Sequence, residues 1–178
     1  MANFWNSAEL EPKKSYQYTV TMGTIAESFL IKSAKLPVLE VGTLEADYTQ
    51  YKFYYPGKVS WSPVQFTIYD VVGSKSVAQN LTSLFAAIGI NKPVNANQLA
   101  TLSKRNASTA VGNVIISQID TNGVQIGSWT LTNAFITNID FGQHGYYDEG
   151  LIEVSVDMAY DWAEYKVGTQ LKKRYYEK

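Results

Sequence analysis

Few residues of this chain have the types and spacing that catalysis or metal binding requires. His144 is the only histidine of the 178 residues, and the absence of cysteine removes thiolate catalysis, disulfides and cysteine-ligated metals. No Ser and Asp spacing around His144 indicates a catalytic triad. The neighbouring acids Asp148 and Glu149 supply too few oxygen ligands for a calcium loop. The sequence therefore predicts a protein that is not an enzyme and uses no cofactor or metal.

Phosphate-binding and hydrolase motifs are missing as well. The sequence contains no G-x-G-x-x-G, Walker A, H-E-x-x-H or G-x-S-x-G pattern. The basic residues Lys172-Lys173-Arg174, next to two tyrosines, have two interpretations: a phosphate contact or an ordinary soluble terminus. The terminus is the commoner case, so nucleic-acid binding is not expected there.

Charge is distributed unevenly along the chain, although the net charge is only −1. No Lys or Arg occurs from Asn106 to Tyr165. Such a stretch is either a solvated surface or a negative face that repels nucleic acid. Its acids are Asp120, Asp140, Asp148, Glu149, Glu153, Asp157, Asp161 and Glu164.

The chain reads as one domain over residues 1–178, with an irregular arm at 1–14 and a basic tail at 166–178. Its beginning lacks the basic and apolar regions of a signal peptide. No apolar run approaches the roughly 20 residues of a membrane span. We therefore expect a protein made in a cytoplasm, with no membrane contact.

Alternation of apolar and polar residues predicts strands over much of the chain. It begins with Tyr16, Tyr18, Val20 and Met22 on one face. Thr121-Asn122-Gly123 is a strong hairpin turn between two further strands. The remaining predicted strands are Ser28–Lys35, Val64–Val71, Asn113–Asp120, Val124–Leu131, Ala134–Phe141 and Ile152–Trp162.

The longest alternating strand lies near the end of the chain. Its apolar residues, from Ile152 to Trp162, must face the core. The opposite face is acidic and polar, and it must point away from the core because side chains alternate along a strand. It consists of Glu153, Ser155, Asp157 and Asp161.

An aromatic segment from Val38 to Trp61 follows the strand break at Leu36-Pro37. It reads as an extended hairpin, with a turn signal at Pro56-Gly57. One thin sheet cannot bury this many aromatic side chains, so they are expected to remain exposed.

One helix is expected, at about 74–89. Ser76 and Gln79 form a capping box, and Gly89 suits the C-terminal cap. The following stretch, 91–107, reads as a loop. The apolar stripe of the helix consists of Val77, Leu81, Leu84, Phe85 and Ile88.

Two blocks of sequence resemble the tail tube proteins of contractile-tailed phages. The first, from Ser33 to Phe85, contains Leu36-Pro37, the hairpin ending in Tyr55-Pro-Gly-Lys-Val-Ser-Trp61, and the strand Phe66-Thr-Ile-Tyr-Asp70 before the helix. The second, from Trp129 to Trp162, has a strand, an acidic loop containing glycine, and a long strand ending in Tyr160-Asp-Trp-Ala-Glu164. Similar subunits form the inner tubes of contractile injection systems and of type VI secretion.

The resemblance implies a mainly β fold, an antiparallel sandwich or partial barrel with one packed helix. It also implies hexameric rings that stack into a conduit for DNA or effectors, in a virion tail assembled in the host cytoplasm. The implied partners are further copies, the tail sheath, and baseplate initiator and tail terminator proteins. The alternatives are a tube initiator or terminator of the same fold and, more remotely, a β-barrel ligand-binding module. The implied inter-subunit and inter-ring hairpin residues are Glu45, Asp47, Tyr48, Tyr51, Phe53, Tyr54, Tyr55 and Trp61.

In such a tube, the acidic face of the last long strand is either the lumen or the outer wall that faces the sheath. We favour the lumen, because a passage for DNA needs a face without Lys or Arg. The lumen-facing residues are then Glu153, Ser155, Asp157 and Asp161.

Overall fold

The computed structural model describes residues 12–23, 25–74, 76–90, 92, 102–147 and 149–168. Within them it is mainly β with antiparallel sheets, as the sequence predicts, but it contains two helices where the sequence predicts one. A single 3-10 turn, Ser28–Leu30, precedes β2. The strands are β1 (Tyr18–Met22), β2 (Ile31–Ala34), β3 (Val38–Tyr48), β4 (Tyr51–Ser62), β5 (Val64–Tyr69), β6 (Val114–Ile119), β7 (Gln125–Thr132), β8 (Phe135–Asp140), β9 (Glu153–Ala159) and β10 (Trp162–Val167); the helices are α1 (Val77–Ile88) and α2 (Lys104–Val111).

Two four-stranded sheets form the body of the molecule. We call them sheet A, in the order β1-β6-β7-β10, and sheet B, in the order β2-β5-β9-β8. Strands β3 and β4 pair only with each other and form a separate two-stranded ribbon. The inward side chains of both sheets join one continuous apolar core, in which Phe66 and Met22 are among the largest fully buried residues. Burial of these side chains, at roughly 1.5–3 kcal/mol each, drives the two sheets together.

Helix α1 closes the core, and its sequence signals are confirmed. The Ser76 hydroxyl accepts a hydrogen bond from the Gln79 amide, and Gly89 ends the helix at a φ of 96°. Four residues of the predicted stripe are buried: Val77, Leu81, Leu84 and Ile88. Phe85 is half-buried against the same core. None of the helices described is long and apolar enough to cross a membrane.

A second helix, α2, lies where the sequence predicts a loop. The loop prediction for 91–107 is therefore wrong for residues 104–107, while 91 and 93–101 lie outside the described residues. The Ser103 hydroxyl accepts a hydrogen bond from the Asn106 amide and caps the helix. Only Val111 of α2 is buried, so the helix offers little apolar periodicity by which it can be recognised.

Both ends of the chain are only partly described. Residues 1–11 of the predicted arm and 169–178 of the predicted tail lie outside the described residues. Lys13 donates hydrogen bonds to Gln118 Oε1 and to the Tyr165 hydroxyl, each at 2.8 Å, so this part of the arm is fixed to sheet A. Tyr16 lies in a turn before β1 and is exposed, so the predicted alternation holds only from Tyr18 onward.

The Thr121-Asn122-Gly123 turn is confirmed. It joins β6 to β7, which pair antiparallel, and Gly123 has a φ of 77°. The Asp120 carboxylate accepts hydrogen bonds from the amides of Asn122 and Val124, both at 2.8 Å. The turn is therefore closed by local bonds that the sequence itself specifies.

The single long strand predicted for Ile152–Trp162 is divided into β9 and β10. The break falls at Tyr160 and Asp161, where the chain crosses from sheet B to sheet A. Val154, Val156, Met158 and Tyr160 are buried as predicted, whereas Trp162 is exposed. The alternation continues through the crossing, which is why the sequence pattern does not reveal it.

Candidate functional site

The ribbon formed by β3 and β4 carries a long row of exposed apolar side chains. Every residue of β3 is exposed, and so are most residues of β4. The predicted hairpin is present, but its turn lies at Thr49-Gln50, with Thr49 at a φ of 56°, and not at Pro56-Gly57. A large apolar surface left open by a subunit typically marks an interaction site.

Pro56 and Gly57 lie in the middle of β4, where the ribbon has a bulge. The register shifts by one residue there, so that Gly57 and Lys58 lie opposite Gly42. A β-carbon at Gly57 would lie 3.0 Å from the carbonyl oxygen of Gly42, so this position requires a residue without a side chain. The turn signal in the sequence therefore marks a bulge and a close backbone approach.

The apolar face of the ribbon changes sides at this bulge. Nearer the body, Leu39 pairs with Trp61 and Val41 with Val59 on one face. Beyond the bulge the apolar pairs lie on the opposite face of the ribbon. Side chains alternate along a strand, and Leu44 and Ala46 have even numbers whereas Leu39 and Val41 have odd ones, so the two sets point to opposite sides of β3. We call this second surface the distal apolar face; it consists of Leu44, Ala46, Tyr48, Tyr51, Phe53 and Tyr55.

The other distal face is polar. Glu45 lies opposite Tyr54 and Asp47 lies opposite Lys52, while the Lys52 ammonium lies 3.1 Å from a Glu45 carboxylate oxygen. The predicted hairpin residues are thus distributed over two faces with different chemistry. Glu45, Asp47 and Tyr54 share the polar face, and Tyr48, Tyr51, Phe53 and Tyr55 share the apolar one.

An aromatic cluster anchors the ribbon to the body. The ring of Trp61 lies 5.9 Å from that of Tyr160 and meets Trp162 edge-on at 5.5 Å. The Tyr160 hydroxyl donates to the carbonyl of Ser62 at 3.0 Å, and burial raises the pKa of that hydroxyl. The buried Trp61 Nε1–H has no acceptor among the described residues. Trp61 therefore belongs to the base of the ribbon, whereas the other predicted hairpin residues lie beyond the bulge.

The outer face of sheet B carries three of the four predicted lumen residues. Glu153, Ser155 and Asp157 alternate with the buried residues of β9. Lys32 of β2 shares this face, and its ammonium lies 2.5 Å from Glu153; the hydrogen bond raises the pKa of Lys32. Asp157 accepts a hydrogen bond from Asn138 at 3.2 Å. The face is therefore polar and acidic, but Lys32, which lies far from these acids in the sequence, brings a positive charge to it.

Asp161 lies apart from the other three. It is in the link between β9 and β10, where Lys104 of α2 donates to it at 2.6 Å and Asn133 donates at 2.8 Å. These two hydrogen bonds, Lys104 first, hold the pKa of the Asp161 carboxyl below its usual value. The ion pair between Asp161 and Lys104 connects α2 to the link between the two sheets. The two residues lie far apart in the sequence, so no local pattern predicts that they pair.

The loop between β8 and β9, residues 141–152, places His144 beside two fully exposed tyrosines, Tyr146 and Tyr147. Asp148, one of the acids considered for a cation, lies outside the described residues. Within the described part of the chain, no group of three or more His, Asp or Glu side chains is placed to hold a metal ion.

No protein-family profile matches the sequence, and no curated protein matches it at a significant level. Solved structures share its fold. A chain from the anti-feeding prophage tube-terminating cap aligns with a TM-score of 0.65 at 19% identity, covering 94% of this chain and 100% of that one. A chain from the extended sheath-tube complex of the PVC extracellular contractile injection system gives 0.62 at 16% identity, covering 89% and 93%.

A third match is a chain from the six-fold symmetrised baseplate of the anti-feeding prophage. It gives a TM-score of 0.56 at 14% identity and covers 88% of this chain and 97% of that one. At these identities the comparison establishes the fold. The protein has the fold found in tube-related components of contractile injection systems, as the sequence resemblance implies.

Proposed function

We propose that this protein is a structural subunit of the inner tube of a contractile tail or injection system, assembled as stacked hexameric rings. The observation that carries the proposal is the ribbon of β3 and β4. A two-stranded ribbon alone in water is marginally stable at best, and this one exposes aromatic side chains along its length. Contacts with neighbouring subunits would bury the aromatic side chains that the two four-stranded sheets of the same chain leave exposed.

The comparisons support the same proposal. This chain and the cap, sheath-tube and baseplate chains cover each other over most of their lengths, so the likeness extends to nearly all of this chain and is not confined to one part of it. The six-fold symmetry of the baseplate structure supports a hexamer. Sheath, baseplate and terminator proteins are then the expected partners in the particle, and the cargo is DNA or a protein effector.

The lumen is proposed to be the outer face of sheet B. Glu153, Ser155 and Asp157 are placed on it, and a negative wall does not retain a passing nucleic acid. Because Glu153 is paired with Lys32, Asp157 is the better residue to test. Tubes carrying Asp157→Lys should retain DNA more strongly at low salt than tubes of the unaltered protein, as measured by filter binding. A structure of the assembled tube with Asp157 on its outer surface would reject this assignment.

Electron microscopy of the purified protein tests the proposed function directly. Rings or tubes are expected, and analytical ultracentrifugation should show self-association that increases with concentration. A protein that remains monomeric over a wide concentration range would contradict the proposal.

A tube terminator is the second candidate, because a chain of a tube-terminating cap is among the solved structures that share this fold. The two roles differ in how assembly ends. A tube subunit stacks into tubes of many rings, whereas a terminator stops at a single ring. The length distribution of the assemblies in the same micrographs therefore separates them.

A further inference from the structure

We infer that the link between β9 and β10 fixes the direction in which the ribbon leaves the body. Its residues Tyr160 and Asp161, together with Trp162 at the start of β10, are called the ribbon support. The ribbon is then already oriented in the free subunit, before it meets a neighbour. The use of this orientation in assembly rests on the proposed function, whereas the orientation itself is a property of the single chain.

The ribbon is attached to the body at one end. Its strands β3 and β4 pair only with each other. Among the described residues, Trp61 is the one apolar side chain of the ribbon that packs against the core. The twelve residues of β4 extend over about 40 Å, so a tilt of about 10° at the base would move the tip by about 7 Å. The contacts at the base therefore decide where the tip lies.

The ribbon support contacts both strands of the ribbon. The Trp61 ring lies 5.9 Å from that of Tyr160 and 5.5 Å from that of Trp162. The Tyr160 hydroxyl donates to the Ser62 carbonyl at 3.0 Å, and the Val38 backbone lies next to the same hydroxyl. Val38 and Ser62 are the pair of the ribbon nearest the body. A single contact would leave a pivot, whereas a ring contact and a hydroxyl contact together fix an angle.

Asp161, the middle residue of the ribbon support, is bonded from three sides. Lys104 and Asn133 donate to its carboxylate, and its amide donates to the Thr132 carbonyl at 3.0 Å. Thr132 ends β7, and Asn133 lies in the turn by which the chain passes from sheet A to sheet B. Asp161 lies in the passage back from sheet B to sheet A. The two passages are therefore bonded to each other, which gives the ribbon support a fixed backbone.

Packing, and not hydrogen bonding, places the Trp61 ring. Its buried Nε1–H has no acceptor among the described residues. A buried donor without a partner is unfavourable, so the surrounding contacts must determine where this ring lies. Those contacts include the rings of Tyr160 and Trp162. Removal of one of them should allow both Trp61 and the ribbon to move.

Distances between two spin labels test the inference, because the chain has no cysteine of its own. Gln50→Cys places one nitroxide at the tip of the ribbon and Thr19→Cys places the other on β1; both residues are exposed. Labelled chain is diluted with unlabelled chain, so that each measured pair lies within one subunit. Double electron–electron resonance should give one narrow distance distribution, and Trp162→Ala should at least double its width.

Tyr165→Ala is the matched control, because it removes an aromatic contact of the same strand away from the ribbon. Its ring lies 5.1 Å from that of Trp129 in sheet A, so the distribution should stay narrow. Trp162→Phe keeps a ring against Trp61 and should restore most of the narrowness. Tyr160→Phe removes only the hydroxyl and should widen the distribution less than Trp162→Ala does.

A broad distribution in the otherwise unaltered protein, or an unchanged one in Trp162→Ala, would overturn the inference. Equal broadening by Tyr165→Ala would also overturn it, since the whole sandwich would then have loosened. The measurement does not require rings: a narrow distribution in a protein that never forms them would reject the proposed function and leave the ribbon support standing. Where rings form, Trp162→Ala should weaken self-association several-fold, because its ribbon must become ordered on binding.

Discussion

Phe66 and Phe53 show how differently two similar strands of this protein are used. Both phenylalanines lie in antiparallel strands with alternating apolar residues. Phe66, in the sandwich, is 0% exposed, whereas Phe53, in the ribbon, is 51% exposed. The sandwich covers its own apolar face and the ribbon does not. Alternation therefore identifies an apolar face, but it does not say which molecule covers that face.

The comparison predicts that changes in the body act on folding and that changes in the ribbon act on association. The largest expected effect is on folding. Leu84 of α1 is 6% exposed in the core, so Leu84→Asp would bury a charge without a partner and cost several kcal/mol. We expect loss of the cooperative unfolding transition in circular dichroism.

The neighbouring Ser83 is exposed on the same helix, so Ser83→Asp is the matched control and should unfold like the unaltered protein. A soluble, folded Leu84→Asp variant would mean that the helix stripe is an assembly surface, and the contrast between body and ribbon would fail.

Shortening the ribbon should have the second largest effect, and on association alone. Replacing residues 43–56 with a two-residue Asn-Gly turn removes the distal part of both strands and keeps the pairs near the body. The urea unfolding curve should stay close to that of the unaltered protein, because the removed residues lie outside the core. Ultracentrifugation should show monomers or single rings; tubes of normal length would contradict the role given to the ribbon.

A single side chain sharpens the comparison within the ribbon. Tyr55, on the distal apolar face, and Tyr54, on the polar face, are similarly exposed at 57% and 63%. Tyr55→Ala should weaken self-association about 30-fold, the factor for a hot spot of about 2 kcal/mol. Tyr54→Ala should change it much less. Equal effects in concentration-dependent light scattering would mean that the two faces are equivalent.

The smallest effect concerns an exposed ion pair of the body. Because Lys104 and Asn133 lower the pKa of Asp161, its ionised form contributes stability at neutral pH. That contribution is lost as the pH falls from about 3.9, the ordinary aspartate value, through the lower folded value. Asp161→Asn should therefore slightly lower the urea midpoint at pH 7 but leave it unchanged at about pH 2.

Glu45→Gln provides the control for this last prediction. It removes a comparably exposed ion pair with Lys52, but from the ribbon, and should not change the urea midpoint at either pH. A pH-independent effect of Asp161→Asn would show that the side chain acts by packing and not by its charge.

Features with local signals could be predicted from the sequence. The caps of α1, the Asp120-to-Val124 turn and the buried residues of β9 follow from patterns within a few neighbouring positions. The mainly β fold with an aromatic hairpin was likewise accessible. Of the candidate surfaces, the membership of the ribbon was predictable, and so was the alternation of Glu153, Ser155 and Asp157.

Features decided by distant partners could not be predicted. Asp161 continues the alternation of β9, yet Lys104, 57 residues away along the chain, binds it at the crossing between the sheets. Lys32 neutralises part of the acidic face from a strand that lies far away in sequence. Helix α2 has a single buried residue, so its position depends on what it packs against.

By itself, the sequence determined the local patterns of this protein. These are the alternation of apolar and polar residues, the positions at which α1 begins and ends, and the shift of the apolar residues of β3 from odd to even positions after Gly42. Only the tertiary structure decided how those patterns pair. The bulge at Gly57 aligns Tyr55 with Leu44, and a regular register would have placed it opposite Glu45. Register is a property of two strands that meet across space, so one glycine without steric bulk decides which side chains share a face.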